Sequence, residues 1–450
     1  MKKIIFILFF VLSIGSLFAN DFDLVKKGTP NNNTLLIIGG IHGDEPGAFV
    51  APSILLTHYK IQKGSLWVVP NLNFYSIIKR LRGARGDMNR KFEKISKNDP
   101  DYKIVEDIKK VINQSQVKLI VNLHDGSGFY RKIYIDSLHS PFRWGQSSII
   151  DQSTTDTKKY GNLEEISQEV CKYVNKKLGN KATSYATRNT KTKTSDEHMQ
   201  KSLTFYAINH GKAAFADEAS KSLGVASRAY FHLLALEKYM DIMGIKYKRD
   251  FKLSPKNIKK IIDTDVFIKL YNGRIILPLA NIRNNIKYFP IKKNKLISFK
   301  GNNYLLDIVK KRGLYELHDG NSLLSRLHPE YLEFAKINPE LDKIFFDIDG
   351  LKKEVHFGDT VKVKKTFYIY KNKNYRANII GLVRGSNEEG IKVNLKDLLK
   401  RYSIDKNAKI FRVEFYKKNK FLGMILVDFS KKTFSLPLDR TFKGEVKYTK

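Results

Sequence analysis

Between Asn31 and Ile245 the chain alternates short, almost wholly apolar runs with longer stretches of helical periodicity. That alternation admits few architectures other than a layered α/β domain. Thr34–Ile38, Ser65–Val69 and Val117–Val121 are too short for buried helices and too uniformly apolar for strands with one wet face. They read as strands covered on both sides. Lys212–Ala216 is a fourth run of this kind, with Asp217 and Glu218 at its end. The spacing predicts helices over Ala48–Tyr59, Asp101–Val111, Leu163–Val174 and Ser227–Met243.

After about Lys248 the texture changes to short runs rich in Tyr, Ile and Phe, separated by turn signals such as Asn272-Gly273 and Asp319-Gly320. This reads as two all-β modules, a small β-barrel-like one over 248–340 and an immunoglobulin-like sandwich over 341–450. Leu323–Phe334 is expected to interrupt the first with a short helix. With 450 residues, 42% of them hydrophobic, the chain has enough apolar material for several cores and is no disordered tail. The net charge of +36 is unevenly spread. About 33 basic side chains face 23 acidic ones over residues 21–245, against about 46 and 22 over 246–450. The second half therefore carries most of the attraction for an anionic partner.

Lys2 and Lys3 precede an apolar run from Ile4 to Leu12, and the stretch Gly15–Asn20 supplies the small residues Gly15, Ser16 and Ala19 near a cleavage point. Residues 1–20 read as a secretory signal peptide. No second run of comparable length follows, so no membrane span is expected after cleavage, and the compartment implied is a bacterial periplasm. A single cysteine, Cys171, excludes a disulfide framework and a Cys-rich metal site. Any metal must be held by His and carboxylates. Cys171, His58 and His232 read as helix-face residues without chemistry, and His198 and His210 lack a strand-end setting.

Directly after the first strand stands Gly39-Gly40-Ile41-His42-Gly43-Asp44-Glu45-Pro46-Gly47. A turn there brings an imidazole and a carboxylate three residues apart onto one ion, while the glycines keep the backbone clear. A second histidine, His124, ends another buried strand, where open α/β sheets gather their ligands. Two imidazoles and a carboxylate make a three-ligand set that leaves a fourth position open. By strand alternation Glu218 and Asp217 point to opposite faces, so only one enters the cleft. Glu218 is the choice.

With these residues in place the sequence resembles the M14 zinc carboxypeptidases, through His42-x-x-Glu45, His124, the pair Asn89-Arg90 and the late Glu218. The Gly-Gly-Ile-His-Gly-Asp-Glu-Pro-Gly form and the trailing β modules are similar, more narrowly, to the periplasmic D,L-carboxypeptidases that trim peptidoglycan and set cell shape in helical Gram-negative bacteria. The resemblance implies an α/β carboxypeptidase-like domain with a mixed sheet over 21–247. It implies one Zn2+ on His42, Glu45 and His124, with Glu218 as general base. Asn89 and Arg90 would grip the substrate carboxylate, and an arginine would stabilise the oxyanion. Arg82 is the choice for that arginine, with Arg80 and Arg85 open; the family's covering tyrosine has no clean match, and Tyr206 is a candidate that reads more readily as a buried or surface tyrosine. The substrate implied is a muramyl tripeptide cut at its γ-D-Glu–meso-diaminopimelate bond, with no nucleic-acid partner. The other readings are an aspartoacylase or succinylglutamate desuccinylase type of amidohydrolase, which shares the metal motif, and an inactive peptidoglycan-binding adaptor.

Overall fold

The computed structural model describes residues 22–195, 197–264, 266–295, 297–337, 343–383, 388–431, 442–445 and 447–448. The expected signal peptide lies outside them.

Seven strands make the central sheet: β1 (Val25–Gly28), β2 (Thr34–Ile38), β3 (Ser65–Val69), β4 (Val117–Gly126), β5 (Ser147–Ile150), β6 (Ala186–Asn189) and β7 (Ala213–Ser220). Their order is β1-β3-β2-β4-β7-β5-β6. The four strands announced by apolar runs are the contiguous parallel centre, β3-β2-β4-β7. Antiparallel β1 and β5 make the sheet mixed.

Helices cover the sheet. α1 (Pro46–His58) opens with a proline, whose missing N–H is tolerated in the first turn. α2 (Tyr102–Ile112) buries Val105, Ile108, Val111 and Ile112 along one stripe; each such side chain contributes about 1.5–3 kcal/mol. α3 (Leu163–Asn175) and α4 (Val225–Ile242) pack against each other, and α4 also packs on α1. A further helix, α5 (Pro255–Thr264), stands where the sequence reading already placed β structure. Its start signal was present, because Pro255 follows Ser254, whose hydroxyl accepts the Asn257 N–H at 3.3 Å. Ile258 of this helix joins the α/β core.

The expected helix over Leu323–Phe334 is instead the strand Ser322–Leu332, paired antiparallel with Leu314–Asp319 and parallel with Asn285–Lys292. Pro329 lacks the N–H that a helix interior needs. Its leucines gave the helical spacing, but the buried residues Ser325 and Leu327 alternate as strand residues do.

Two β units follow. The first consists of a four-stranded and a five-stranded sheet, neither of which closes into a barrel among the described residues. The second is a sandwich of two four-stranded sheets over a core containing Phe346, Phe367, Phe411 and Phe415. The hairpin of Ile410–Lys417 and Lys420–Asp428 belongs to both cores. Phe411, Val413 and Ile425 face the sandwich, whereas Ile410, Met424 and Leu426 face the first β unit. The chain then returns to that first unit, where Phe442–Glu445 pairs with Ser298–Gly301 and Lys447–Tyr448 pairs with Val309–Lys310.

Asp217 lies on the face of β7 turned away from Glu218 and is fully buried. Burial pushes its carboxyl up to about 7. A carboxyl raised on folding stabilises the native state below its unfolded pKa of about 3.9, and that contribution is lost as pH rises through 7. Asp217→Asn, which stays neutral, is therefore expected to gain about 2–4 kcal/mol over the parent at pH 8 and little at pH 4. Urea unfolding at the two pH values measures this; equal differences at both remove the assignment.

Candidate metal centre and active site

β2 and β4 are neighbours, so the segments leaving their carboxyl ends meet. The turn after β2 is tied down by the loop after β3, with Leu72 N donating to Gly39 O and Asn73 N to Gly40 O, at 3.0 and 2.9 Å. At Gly43 a Cβ would lie 2.0 Å from Ser76 O, so only glycine passes there. Glu45 then arrives at the N-cap of α1, where the helix dipole favours a carboxylate.

His42, Glu45 and His124 converge, with donor atoms all within 4.8 Å of one another. Glu45 Oε1 lies 3.0 Å from His42 Nδ1 and Oε2 lies 3.0 Å from His124 Nδ1. The far nitrogens are engaged: His42 Nε2 lies 2.8 Å from Asp87 Oδ1, and His124 Nε2 lies 2.8 Å from the Asn122 amide. At His42 the Nε2–H is taken by a carboxylate, which frees the lone pair of Nδ1 for a divalent cation. At His124 the facing Asn122 atom is the donor Nδ2, so Nδ1 carries the proton in its contact with Glu45 and would give it up in exchange for a cation. Two inward nitrogens and a buried carboxylate thus fit a metal ion.

The charges agree with that fit. Burial would raise the Glu45 carboxyl, but His42 and His124 hold it well below the ordinary range. Burial would likewise raise Asp87, and His42 and Arg82 hold it far down. Burial lowers His124 and keeps it neutral, whereas at His42 the carboxylates of Glu45 and Asp87 outweigh burial and raise the imidazole. A metal held by these residues would take the place of that proton.

Glu218 is the register partner of His124 across the parallel pair β7–β4, so both side chains emerge on one face. Its Oε2 is buried with no hydrogen-bond partner among the described residues. Burial, with Glu45 and Asp125 adding to it, raises the Glu218 carboxyl well above the ordinary range. A Cβ at Gly126 would lie 2.7 Å from Glu218 Oε2, so this glycine clears space for the carboxylate.

The three arginines left open by the sequence separate here. Arg82 donates to Asp87 Oδ2 at 2.9 Å and to Glu45 Oε1 at 3.2 Å. Arg80 instead donates to Asn321 O at 2.6 Å, and Arg85 lies 4.2 Å over the Tyr75 ring. Asn89 and Arg90 form a tight turn just after Asp87. Asn89 Oδ1 accepts the Leu203 N–H, and Arg90 reaches Asn89 O and Met199 Sδ. They adjoin the cluster through Asp87, whose Oδ1 accepts the Asn89 N–H at 2.9 Å.

Tyr206 is elsewhere, accepting from Asn113 Nδ2 and stacked on His210. His58 pairs with Asp250, His198 is exposed, and Cys171 is buried on α3 with its thiol pushed up to about 12 by burial. His232 is no simple helix-face residue, because its Nε2 lies 3.1 Å from Asp125 Oδ1 behind the site. Asp125 also accepts from Gly47 N and Arg228 Nη1, each at 2.7 Å, and so fixes α1, α4 and β4 together. Sequence reasoning missed the roles of Asp87, Asn122 and Asp125, though each lies within two residues of a residue it had singled out. The first β unit reaches the rim as well, where Asn321 Nδ2 donates to Gly43 O at 3.4 Å and Leu305 packs with Phe49 and Ile77.

An α/β sheet carrying a His-Glu-His cluster able to hold a metal, with an opposed carboxylate, fits a metal-dependent hydrolase, of which the metallocarboxypeptidases are one class. The comparisons with known proteins place it more narrowly: the chain belongs to the Peptidase M99 family, described as a carboxypeptidase controlling helical cell shape, whose catalytic profile matches residues 1–263. Profiles for the family's β-barrel domain and C-terminal domain match residues 263–333 and 337–430. Solved structures of the cell-shape determinant Csd4 from Helicobacter pylori are similar over most of the chain. The apo form is 39% identical, covers 91% of this chain and 100% of its own, and has a TM-score of 0.81. A tripeptide-bound form is 40% identical over the same shares with a TM-score of 0.80. A form bound to mDAP, described as a D,L-carboxypeptidase, is 40% identical over 90% of this chain and 100% of its own, with a TM-score of 0.81. No curated protein sequence gives a significant match. No helix among the described residues is long and apolar enough to cross a membrane.

Asp87→Ala is expected to lower metal affinity about 10–100-fold, because His42 loses the partner that orients it. In the parent, affinity rises with pH as the His42 proton becomes easier to displace. Competition against a chromophoric chelator at several pH values reads both effects; unchanged affinity in the variant removes Asp87 from this role.

Proposed function

We propose that the protein is a zinc-dependent D,L-carboxypeptidase of the periplasm. It hydrolyses the γ-D-Glu–meso-diaminopimelate bond of a muramyl tripeptide and leaves a dipeptide on the glycan. The observation that carries the reading is the register pairing of Glu218 with His124, which sets an unpartnered carboxylate beside three convergent metal ligands. The tripeptide-bound and mDAP-bound forms of the Helicobacter pylori relative supply the substrate class. Residues 1–20 act as the signal peptide, and the cation on His42, Glu45 and His124 is zinc, which suits an N,N,O donor set.

When bound, zinc acidifies a water and polarises the scissile carbonyl. The chain's own residues do the rest. Glu218 takes the proton of the attacking water on Oε2 and passes it to the departing diaminopimelate nitrogen, so the amide bond breaks to a free amine and a carboxylate. Arg82 turns its guanidinium from Glu45 and Asp87 to the developing oxyanion. Arg90, aided by Asn89, pairs with the terminal carboxylate of the diaminopimelate.

Incubation with muramyl tripeptide should release free diaminopimelate, and its absence sinks the reading. Glu218→Gln is expected to keep stoichiometric zinc and lose about 10²–10⁴-fold in kcat. His124→Ala is expected to lose the metal altogether, as read by elemental analysis. Arg90→Ala acts mainly by raising KM. A Glu218→Gln enzyme with parental kcat would move the proton transfer to another residue.

A further inference from the structure

We propose that the loop Phe129–Gly145 is a rigid apolar platform for the sugar part of the substrate, the N-acetylglucosamine–N-acetylmuramic acid disaccharide that carries the stem peptide. The inference rests on the hydrolase reading above and adds to it a subsite outside the cleft. Within ten residues the loop exposes Ile133 (72%), Tyr134 (65%), Ile135 (59%), Leu138 (48%) and Phe142 (80%). Nowhere else among the described residues do large apolar side chains gather on the surface in this density. A concentrated apolar patch on a soluble protein marks a binding surface.

The loop is held in shape by its own polar groups. Asp136 Oδ1 accepts from Leu138 N and His139 N, the His139 ring stacks on Phe129 at 4.8 Å, and Arg143 Nε donates to Ser137 O at 2.7 Å. Arg131 fastens it to the segment 182–184 of the same chain through Ala182 O and Ser184 O. The side chains are thus preorganised outward, which lowers the entropic cost of binding.

The foot of the loop is a wall of the catalytic pocket. A Cβ at Gly126 would meet Trp144 Cβ and Gly145 N as well as Glu218 Oε2, each at 2.7 Å. Phe142 is two residues from Trp144, so it stands within about 7 Å of chain from that wall. The loop that carries the apolar side chains thus also lines the cleft at its foot, and the part of the substrate that continues outside the cleft is a sugar. Pyranose rings present C–H faces that suit the rings of Tyr134 and Phe142, and the acetamido and lactyl methyl groups suit Ile133 and Ile135. Arg131 and Arg143 are held on backbone carbonyls and Lys132 is exposed beside Ile133, so an anionic lipid surface is the alternative that the vesicle measurement below decides.

The test compares the free tripeptide L-Ala-γ-D-Glu-meso-diaminopimelate with the same tripeptide on its disaccharide, using the parent and a Tyr134→Ser/Phe142→Ser double variant. The parent is expected to show about tenfold lower KM for the sugar-bearing substrate. The variant should lose that preference while its kinetics on the free tripeptide stay within twofold. Calorimetric titration with the peptide-free disaccharide should show binding by the parent alone. Equal KM values in the parent, a preference that survives in the variant, or equal losses on both substrates would each overturn the platform. So would loss of sedimentation with phosphatidylglycerol vesicles in a variant that keeps its sugar preference, which assigns the loop to lipid. A parent that hydrolyses neither substrate sinks the hydrolase reading instead, and the disaccharide titration then decides the platform alone.

Discussion

A carboxylate buried at the end of a parallel sheet is costly, by several kcal/mol after relaxation. The arrangement around Glu45 is what makes it tolerable. Two imidazoles, the Asp125 N–H at 3.1 Å, the Arg82 guanidinium and the N-terminus of α1 all address this one side chain. Each of these groups is in turn fixed from behind: His42 by Asp87, His124 by Asn122, and α1 by Asp125. A cation entering between the imidazoles completes a charge balance the fold has already prepared. It does not have to create one.

The same economy explains which parts of the molecule could be read in advance. The four central strands were legible because burial on both faces leaves an unbroken apolar run, and β2 and β3 match the sequence reading at both ends. His42, Glu45 and His124 were legible because their spacing and strand-end positions carry the chemistry with them. Alternation placed Glu218 and Asp217 on opposite faces, and their surroundings differ accordingly, one at the metal cluster and the other sealed in the core. Asp87 and Asn122 were not legible in the same way, because what they do depends on the far nitrogen of another residue's ring. The Leu323–Phe334 segment misled because leucine spacing outweighed Pro329, and pairing on both flanks decided for strand. Tyr206 was proposed on its distance along the chain from Glu218, which says nothing about its place in space.

The β units are more than appendages to the sheet. Asn321 holds both Gly43 O and, through its own carbonyl, the Arg80 side chain, so a turn of the first β unit braces the metal-binding loop and the short helix Phe74–Lys79 before Arg82. Gly320 lies so close to Phe49 of α1 that an added Cβ would sit 2.8 Å from the ring. The geometry of Glu45 is thus set partly by residues nearly 280 positions away in the chain.

The path of the backbone through the two β units has a consequence for how the protein is made. Residues 442–445 and 447–448 supply strands to both sheets of the first β unit, and the Ile410–Asp428 hairpin divides its side chains between that unit and the sandwich. A chain that emerges from its amino end can close the α/β core early, since every buried member of that core precedes Val266. The middle unit must wait for the last strands to arrive, and such long-range pairings form slowly. During that interval its open sheet edges are exposed to pairing with other chains. The sheets of the first β unit are complete only with strands that stand more than 100 residues after Leu332, so its closure rests on long-range pairing.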